Sequence, residues 1–225
     1  MTTYTYEDVA KTIDHSLLRP ELTREDVRQG CELASEYDVA SVCVRPADVG
    51  YAAELLSDSD VLVGTVVGFP HGSNVTSVKV FETEQAVRDG ADEIDMVLNI
   101  GWLRSGMYEE VEEDIRQVVQ AAQGRPVKVI LENAYLTDDQ KREACRRVEA
   151  AGGHYVKTST GFAPSGATLE DVQLMKESVS PGIKIKSAGG VRTLDVLLQY
   201  MDAGISRSGA TTTAQMLDEF KARSA

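Results

Sequence analysis

The side chains able to do chemistry stand where strand-like runs give way to polar loops. Tyr155-Val156-Lys157 is followed by a hydroxyl-rich stretch, Thr158-Ser159-Thr160-Gly161, before a helix expected near Thr168. In Glu93-Ile94-Asp95-Met96-Val97-Leu98-Asn99 the alternation puts Asp95, Val97 and Asn99 on one face and Ile94, Met96 and Leu98 on the other. Ile183-Lys184-Ile185-Lys186 alternates more cleanly still, with both lysines on one face. An amine at Lys157, beside a second lysine and away from bulk water, gives up its proton more readily than the ordinary value of ~10.4. A neutral amine attacks carbonyl carbon to form a Schiff base. A carboxylate with a water can then move protons through carbinolamine, imine and enamine. Taken singly, each residue has a plainer explanation. These are an exposed strand-end lysine, an aspartate satisfied by a hydroxyl or amide, and edge-strand lysines facing solvent. Taken together, Lys157, Lys186 and Asp95 form a set suited to imine chemistry.

Two glycine-containing stretches suggest an anion site. Gly189-Gly190-Val191-Arg192 follows one expected strand, and Gly209-Ala210-Thr211-Thr212-Thr213 follows the next and opens the final helix. Glycine lets backbone N–H groups approach an anion, and a helix N-terminus favours negative charge. The plainer explanation is ordinary turn use of glycine. His15 and His71 sit near expected strand ends, where they could touch a substrate, whereas His154 reads as structural. Cys43 could border a pocket, although a small buried hydrophobe is its simpler role. Trp102 and the methionines fall in apolar patterns and read as core.

The elements that must position these residues repeat one pattern, a short β-branched run, a loop and an amphipathic helix. A leading helix spans about 6–12. Strands are expected over 13–17, 39–44, 61–67, 92–99, 127–131, 154–157, 183–186 and 205–208. Helices are expected over 23–37, 46–56, 75–88, 108–122, 137–151, 169–178, 193–203 and 211–225. Eight strand–helix units in 225 residues, with no linker or low-complexity break, are the count of a (β/α)8 TIM barrel in one domain, residues 1–225. A doubly wound open sheet is the competing architecture, but the first strand–helix turn lacks GxGxxG. In a parallel barrel the active site lies at the C-terminal ends of the strands, with phosphate sites after strands seven and eight.

Composition narrows the function. The formal net charge is −13, from 36 acidic and 23 basic residues, which disfavours binding to a phosphate backbone. No apolar run is long enough to span a membrane, and the first residues resemble neither a signal nor a transit peptide. Three widely spaced cysteines suggest free thiols in a reducing cytoplasm, and no Cys/His spacing suggests a zinc site. Only nine of the basic residues are lysine, the pattern of an acid-rich surface suited to high salt.

Seven segments, IDHSLLRP (13–20), SVCVRP (41–46), VGFPHG (67–72), EIDMVLNIG (93–101), VKTSTGF (156–162), IKSAGGVRT (185–193) and SRSGATTT (206–213), resemble those of the 2-deoxyribose-5-phosphate aldolases in order along the chain. The resemblance implies a TIM barrel and a class I aldolase needing no metal or other cofactor. It implies reversible cleavage of 2-deoxy-D-ribose 5-phosphate to acetaldehyde and D-glyceraldehyde 3-phosphate, in deoxyribonucleotide catabolism. By motif, Lys157 is the Schiff-base lysine, Lys186 the second lysine that depresses its pKa, and Asp95 the proton-relay carboxylate. Thr160, Gly189, Gly190, Arg192, Gly209, Thr211 and Thr212 would hold the substrate and its phosphate, and Ser16 and Cys43 would line the pocket. Relatives also imply a homo-oligomer, with small sugar phosphates and aldehydes as partners. The chain departs from the family at His154-Tyr155, at Thr211 and Thr212 where serines are usual, and at Phe162 where some members carry lysine. Two alternatives are a Schiff-base aldolase or transaldolase for another sugar phosphate, and a non-catalytic barrel that binds sugar phosphates.

Overall fold

A computed structural model describes residues 4–224. Eight parallel strands close into a barrel in sequence order: β1 (Ile13–Leu17), β2 (Ser41–Val44), β3 (Leu62–Val67), β4 (Glu93–Val97), β5 (Val127–Ile130), β6 (Tyr155–Lys157), β7 (Lys184–Ala188) and β8 (Arg207–Ala210). The helices are α1 (Tyr6–Ala10), α2 (Arg24–Glu36), α3 (Val49–Leu55), α4 (Thr76–Arg88), α5 (Ile100–Arg104), α6 (Tyr108–Ala121), α7 (Asp138–Ala150), α8 (Leu169–Glu177), α9 (Leu194–Ala203) and α10 (Thr213–Ser224). This is a TIM barrel, as the strand–helix count requires, and α1 packs against α10. The expected end of the last helix, Ala225, lies outside the described residues.

Helix starts follow local chemistry. Thr5 with Asp8, Thr23 with Asp26 and Thr137 with Gln140 form capping boxes, each hydroxyl accepting an N–H that has no partner inside the helix. Thr168 and Thr193 cap α8 and α9 in the same way. Between strands and helices runs one continuous apolar layer, in which Ile94, Met96 and Leu98 are fully buried on the outer face of β4 and the loop after it. A smaller cluster of Leu18, Cys43 and Val66, with Phe69 packed on it, lies apart from that layer.

Four expectations need correction. Strand β8 lies two residues later than expected, because Ser208, Gly209 and Ala210 pair with Ile13, Asp14 and His15 to close the barrel. Its glycine is therefore part of the strand, and α10 starts at Thr213. Asn99 does not continue the lumen face of β4. The strand ends at Val97, and the Asn99 side chain caps the short helix α5 by accepting the Trp102 N–H at 3.1 Å. Lys184 shares a strand parity with Lys186 but is the first residue of β7. There it is exposed at the barrel floor, with its ammonium 5.6 Å from the Tyr155 ring. Met107 is not core but exposed, whereas Trp102 is half-buried and packs against the apolar layer; Met1 lies outside the described residues.

Candidate active site

Inside the barrel, alternation brings charged side chains from six strands into one connected network. Lys157 and Lys186 are register partners across β6 and β7, and Asp95 pairs in register with Lys128 across β4 and β5. The Lys157 ammonium lies 2.6 Å from Asp95 Oδ2, and Lys186 lies 2.7 Å from the same oxygen. Lys186 also reaches Asp14 at 2.5 Å. Lys128 contacts Glu93 at 2.5 Å, Asp14 at 3.1 Å and Asp95 at 3.5 Å. Arg207 closes the base of the network on Asp14 at 2.6 Å and Glu93 at 3.1 Å. Lys157, Lys186, Lys128, Asp14, Glu93 and Asp95 are all buried.

Four cations thus face three carboxylates, and the shares are unequal. One carboxylate, Asp95, touches Lys157; two touch Lys186; three touch Lys128. Burial opposes the charged form of each amine. For Lys157 burial prevails: with help from the charge on Lys186, it outweighs Asp95 and lowers the pKa. For Lys186 burial loses to Asp14 and Asp95, and the pKa is held well above the ordinary lysine range. Burial would likewise raise Asp95, but Lys157, Lys186 and Lys128 hold it far below the usual carboxylate range. The result is one amine whose proton is loosened beside one whose proton is held more tightly.

The network opens into a cavity of about 550 Å³ at the C-terminal ends of the strands. Of the residues singled out in the sequence, Lys157, Lys186, Ser16, Cys43, Thr160, Gly189, Gly190, Arg192, Gly209 and Thr211 line it. Asp95 lies behind the two lysines. Thr212 does not line the cavity but ties two of its loops together, donating to the Arg192 carbonyl at 3.0 Å. Gly189 and Gly190 adopt φ of 76° and 90°, which favours glycine, and a β-carbon on the facing Gly166 would come within 2.2 Å of the Gly189 carbonyl. These loops leave backbone groups and Arg192 at one side of the cavity, opposite the lysine pair in chemistry: one region suits an anion, the other a carbonyl. At the rim Phe162 meets Phe69 edge-on, with ring centroids 5.3 Å apart.

The histidines stay outside this cavity. His15 alternates outward from Asp14 and Ser16, and its Nδ1 lies 2.8 Å from the Thr213 hydroxyl; burial pulls its pKa down to about 4. His71 lines a neighbouring cavity of about 360 Å³ together with Arg104, Glu132, Tyr135, Thr160 and Phe162. His154 accepts the Val127 N–H at 3.1 Å, a structural bond between β5 and the residue preceding β6. Burial pushes the Cys43 thiol up to about 11, so it remains protonated near neutrality. Among the described residues, no group of three or more His, Cys, Asp and Glu side chains is placed to hold a metal ion.

Five residues of this region were not singled out by sequence reasoning: Asp14, Glu93, Lys128, Arg207 and Glu132. Asp14 and Lys128 carry the same signal as Asp95, a charge at an inward position of an apolar strand. Glu132 carries none, because it lies beyond β5 in a turn with left-handed backbone, φ 56°.

A family model described as DeoC/LacD family aldolase matches residues 8–221. A deoxyribose-phosphate aldolase of Staphylococcus haemolyticus is 51% identical over 208 residues, covering 92% of this chain and 94% of its own. One from Coprothermobacter proteolyticus is 49% identical, covering 94% and 96%. Among solved structures, deoxyribose phosphate aldolase from Aeropyrum pernix, described as having a unique tetrameric structure, superposes with a TM-score of 0.90 at 30% identity, covering 97% of this chain and 93% of that one. The barrel, its buried lysine network and these similarities converge: the chain belongs to the DeoC/LacD family of aldolases.

Proposed function

We propose that this protein is a class I aldolase that reversibly cleaves 2-deoxy-D-ribose 5-phosphate to acetaldehyde and D-glyceraldehyde 3-phosphate through an imine on Lys157. The observation that carries this reading is the inequality of the two lysines: a cavity-lining amine with one carboxylate contact, beside a second amine held charged by two. A barrel that only bound sugar phosphates would have no use for that inequality. The similarity to deoxyribose-phosphate aldolases at about half identity supports this substrate over another sugar phosphate.

In the cleavage direction the neutral Lys157 amine adds to C1 of the open-chain sugar, giving a carbinolamine that loses water to an iminium ion. The C3 hydroxyl gives up its proton and the C2–C3 bond breaks. Its electron pair flows to the iminium nitrogen, leaving an enamine and releasing D-glyceraldehyde 3-phosphate. Protonation of the enamine at C2 and hydrolysis release acetaldehyde and restore the amine. Asp95 suits the proton traffic because its own affinity follows the charge on Lys157. Next to ammonium or iminium it is held strongly acidic; next to neutral carbinolamine or enamine one of its cationic neighbours is gone and its pKa rises. Lys186 stays charged throughout and keeps Lys157 acidic. Gly189, Gly190, Gly209, Arg192 and Thr211 take the phosphate, Thr212 holds the two loops together through the Arg192 carbonyl, and Ser16 and Cys43 shape the wall.

We further read the whole chain, 1–225, as one catalytic domain acting in the cytoplasm on products of deoxyribonucleotide breakdown. Three buried free cysteines suit a reducing compartment. A homo-oligomer fits the tetrameric description of the Aeropyrum pernix relative. The direct test is retro-aldol turnover of 2-deoxy-D-ribose 5-phosphate. Lys157→Leu should abolish turnover with the circular dichroism spectrum unchanged, and a folded variant that keeps full activity would refute the assignment.

A further inference from the structure

The loop that follows Lys157 is held from behind by a residue outside the main cavity. Glu132 takes up left-handed backbone angles, φ 56° and ψ 63°, unusual for a residue bearing a β-carbon, and its side chain is buried. The turn it begins runs beside the Lys157 loop: Leu131 N–H donates to the Lys157 carbonyl at 2.9 Å and Asn133 N–H to the Thr158 carbonyl at 3.0 Å. This placement brings the Glu132 carboxylate against Thr160. The Thr160 N–H lies 3.2 and 3.4 Å from its two oxygens, and the Thr160 hydroxyl donates to Oε2. The same hydroxyl oxygen accepts the Phe162 N–H at 3.0 Å.

A hydroxyl has one proton and two lone pairs. At Thr160 the proton is committed to Glu132 and one lone pair to Phe162, so a single lone pair is left for an occupant of the cavity that Thr160 lines. Burial is the largest influence on the Glu132 carboxylate and pushes its pKa up; the Thr160 donors and then the Lys157 charge oppose it.

We infer that Glu132 is a positioning residue that makes Thr160 a pure hydrogen-bond acceptor, so that Thr160 reads a free hydroxyl on the acceptor aldehyde instead of contacting the phosphate. The inference rests on the aldolase reading. A phosphate dianion brings acceptors only, and would meet a lone pair backed by a carboxylate. A substrate hydroxyl brings the missing proton.

The test compares two acceptors in aldol addition of acetaldehyde: D-glyceraldehyde 3-phosphate and 3-oxopropyl phosphate, which lacks the 2-hydroxyl. The wild-type protein should favour the hydroxylated acceptor in kcat/KM by about tenfold or more, the scale of one buried hydrogen bond lost. In Glu132→Gln the amide oxygen can still accept the Thr160 N–H, while the amide N–H occupies the Thr160 oxygen and frees its proton. The freed Thr160 proton can serve a phosphate oxygen as well as a substrate hydroxyl, so the preference should fall clearly below the wild-type ratio, and in Thr160→Val, which offers neither proton nor lone pair, to within about threefold of unity. A merely structural Glu132 would slow both acceptors by the same factor and leave their ratio intact, which would overturn the inference. A wild-type ratio near unity, or an undiminished ratio in Thr160→Val, would overturn it also, whether or not the Glu132 variant folds. Trapping of acetaldehyde on wild-type Lys157 by borohydride is run first. No adduct there would fell the aldolase reading itself, and this inference with it.

Discussion

Lys157 and Lys186 are the same side chain on neighbouring strands, yet unequal company pulls their pKa values in opposite directions. The charge on Lys186 is one of the forces lowering the Lys157 pKa. In Lys186→Met that repulsion is gone and Asp95 is left chiefly to Lys157, so the Lys157 pKa rises. Each unit of rise leaves about tenfold less neutral amine at pH 7. The rate of imine formation at pH 7 should therefore fall by about tenfold or more, and its pH profile should move to the alkaline side. An unmoved or acid-shifted profile in the folded variant would contradict this. Asp95, Lys157 and Lys186 were legible in the sequence because a charge within an apolar strand has few other homes than a barrel lumen. Asp14 and Lys128 carried the same mark and went unread. Lys184 was misplaced for a related reason: alternation gives the face a residue occupies, but not its height, and β7 starts at the floor. Glu132 had no periodicity to betray it.

The helix layer contains an ion pair with no part in the cavity. Lys79 of α4 and Asp114 of α6 are fully buried, with Nζ and Oδ2 2.5 Å apart. Removing one partner leaves the other charge uncompensated in an apolar layer. Lys79→Met should therefore cost about 3–5 kcal/mol in urea denaturation, while Lys79→Met with Asp114→Leu should recover most of it. A single variant losing less than about 1 kcal/mol would mean that the pair does not hold α4 against α6. The strands and most helices were readable from alternation and capping residues, because those signals are local. The boundaries that slipped were set by distant partners. β8 continues through Gly209 and Ala210, poor strand formers on their own, because β1 offers them a ladder. The short helix α5 starts at Ile100 because Asn99 leaves the strand to cap it.

The whole molecule carries 36 acidic and 23 basic residues. Many acids sit in exposed ion pairs, such as Arg28 with Glu25 and Arg223 with Asp195, where solvent screens the attraction. The unpaired acidic surplus repels itself, and salt screens that repulsion over a length falling from about 10 Å at 0.1 M to about 3 Å at 1 M. Thermal stability should accordingly rise with KCl across that range; a midpoint that stays level or falls would remove the case for a surface suited to high salt. Among the described residues no helix is long and apolar enough to cross a membrane. The central claim, that Lys157 is the amine that bonds to substrate, is open to one direct measurement on the intact chain. The protein is reduced with borohydride in the presence of acetaldehyde, weighed whole, and then mapped by peptide mass. We predict one stable ethyl addition per chain, located on Lys157 and lost in Lys157→Leu. No addition, or addition at Lys186 in place of Lys157, would contradict the account.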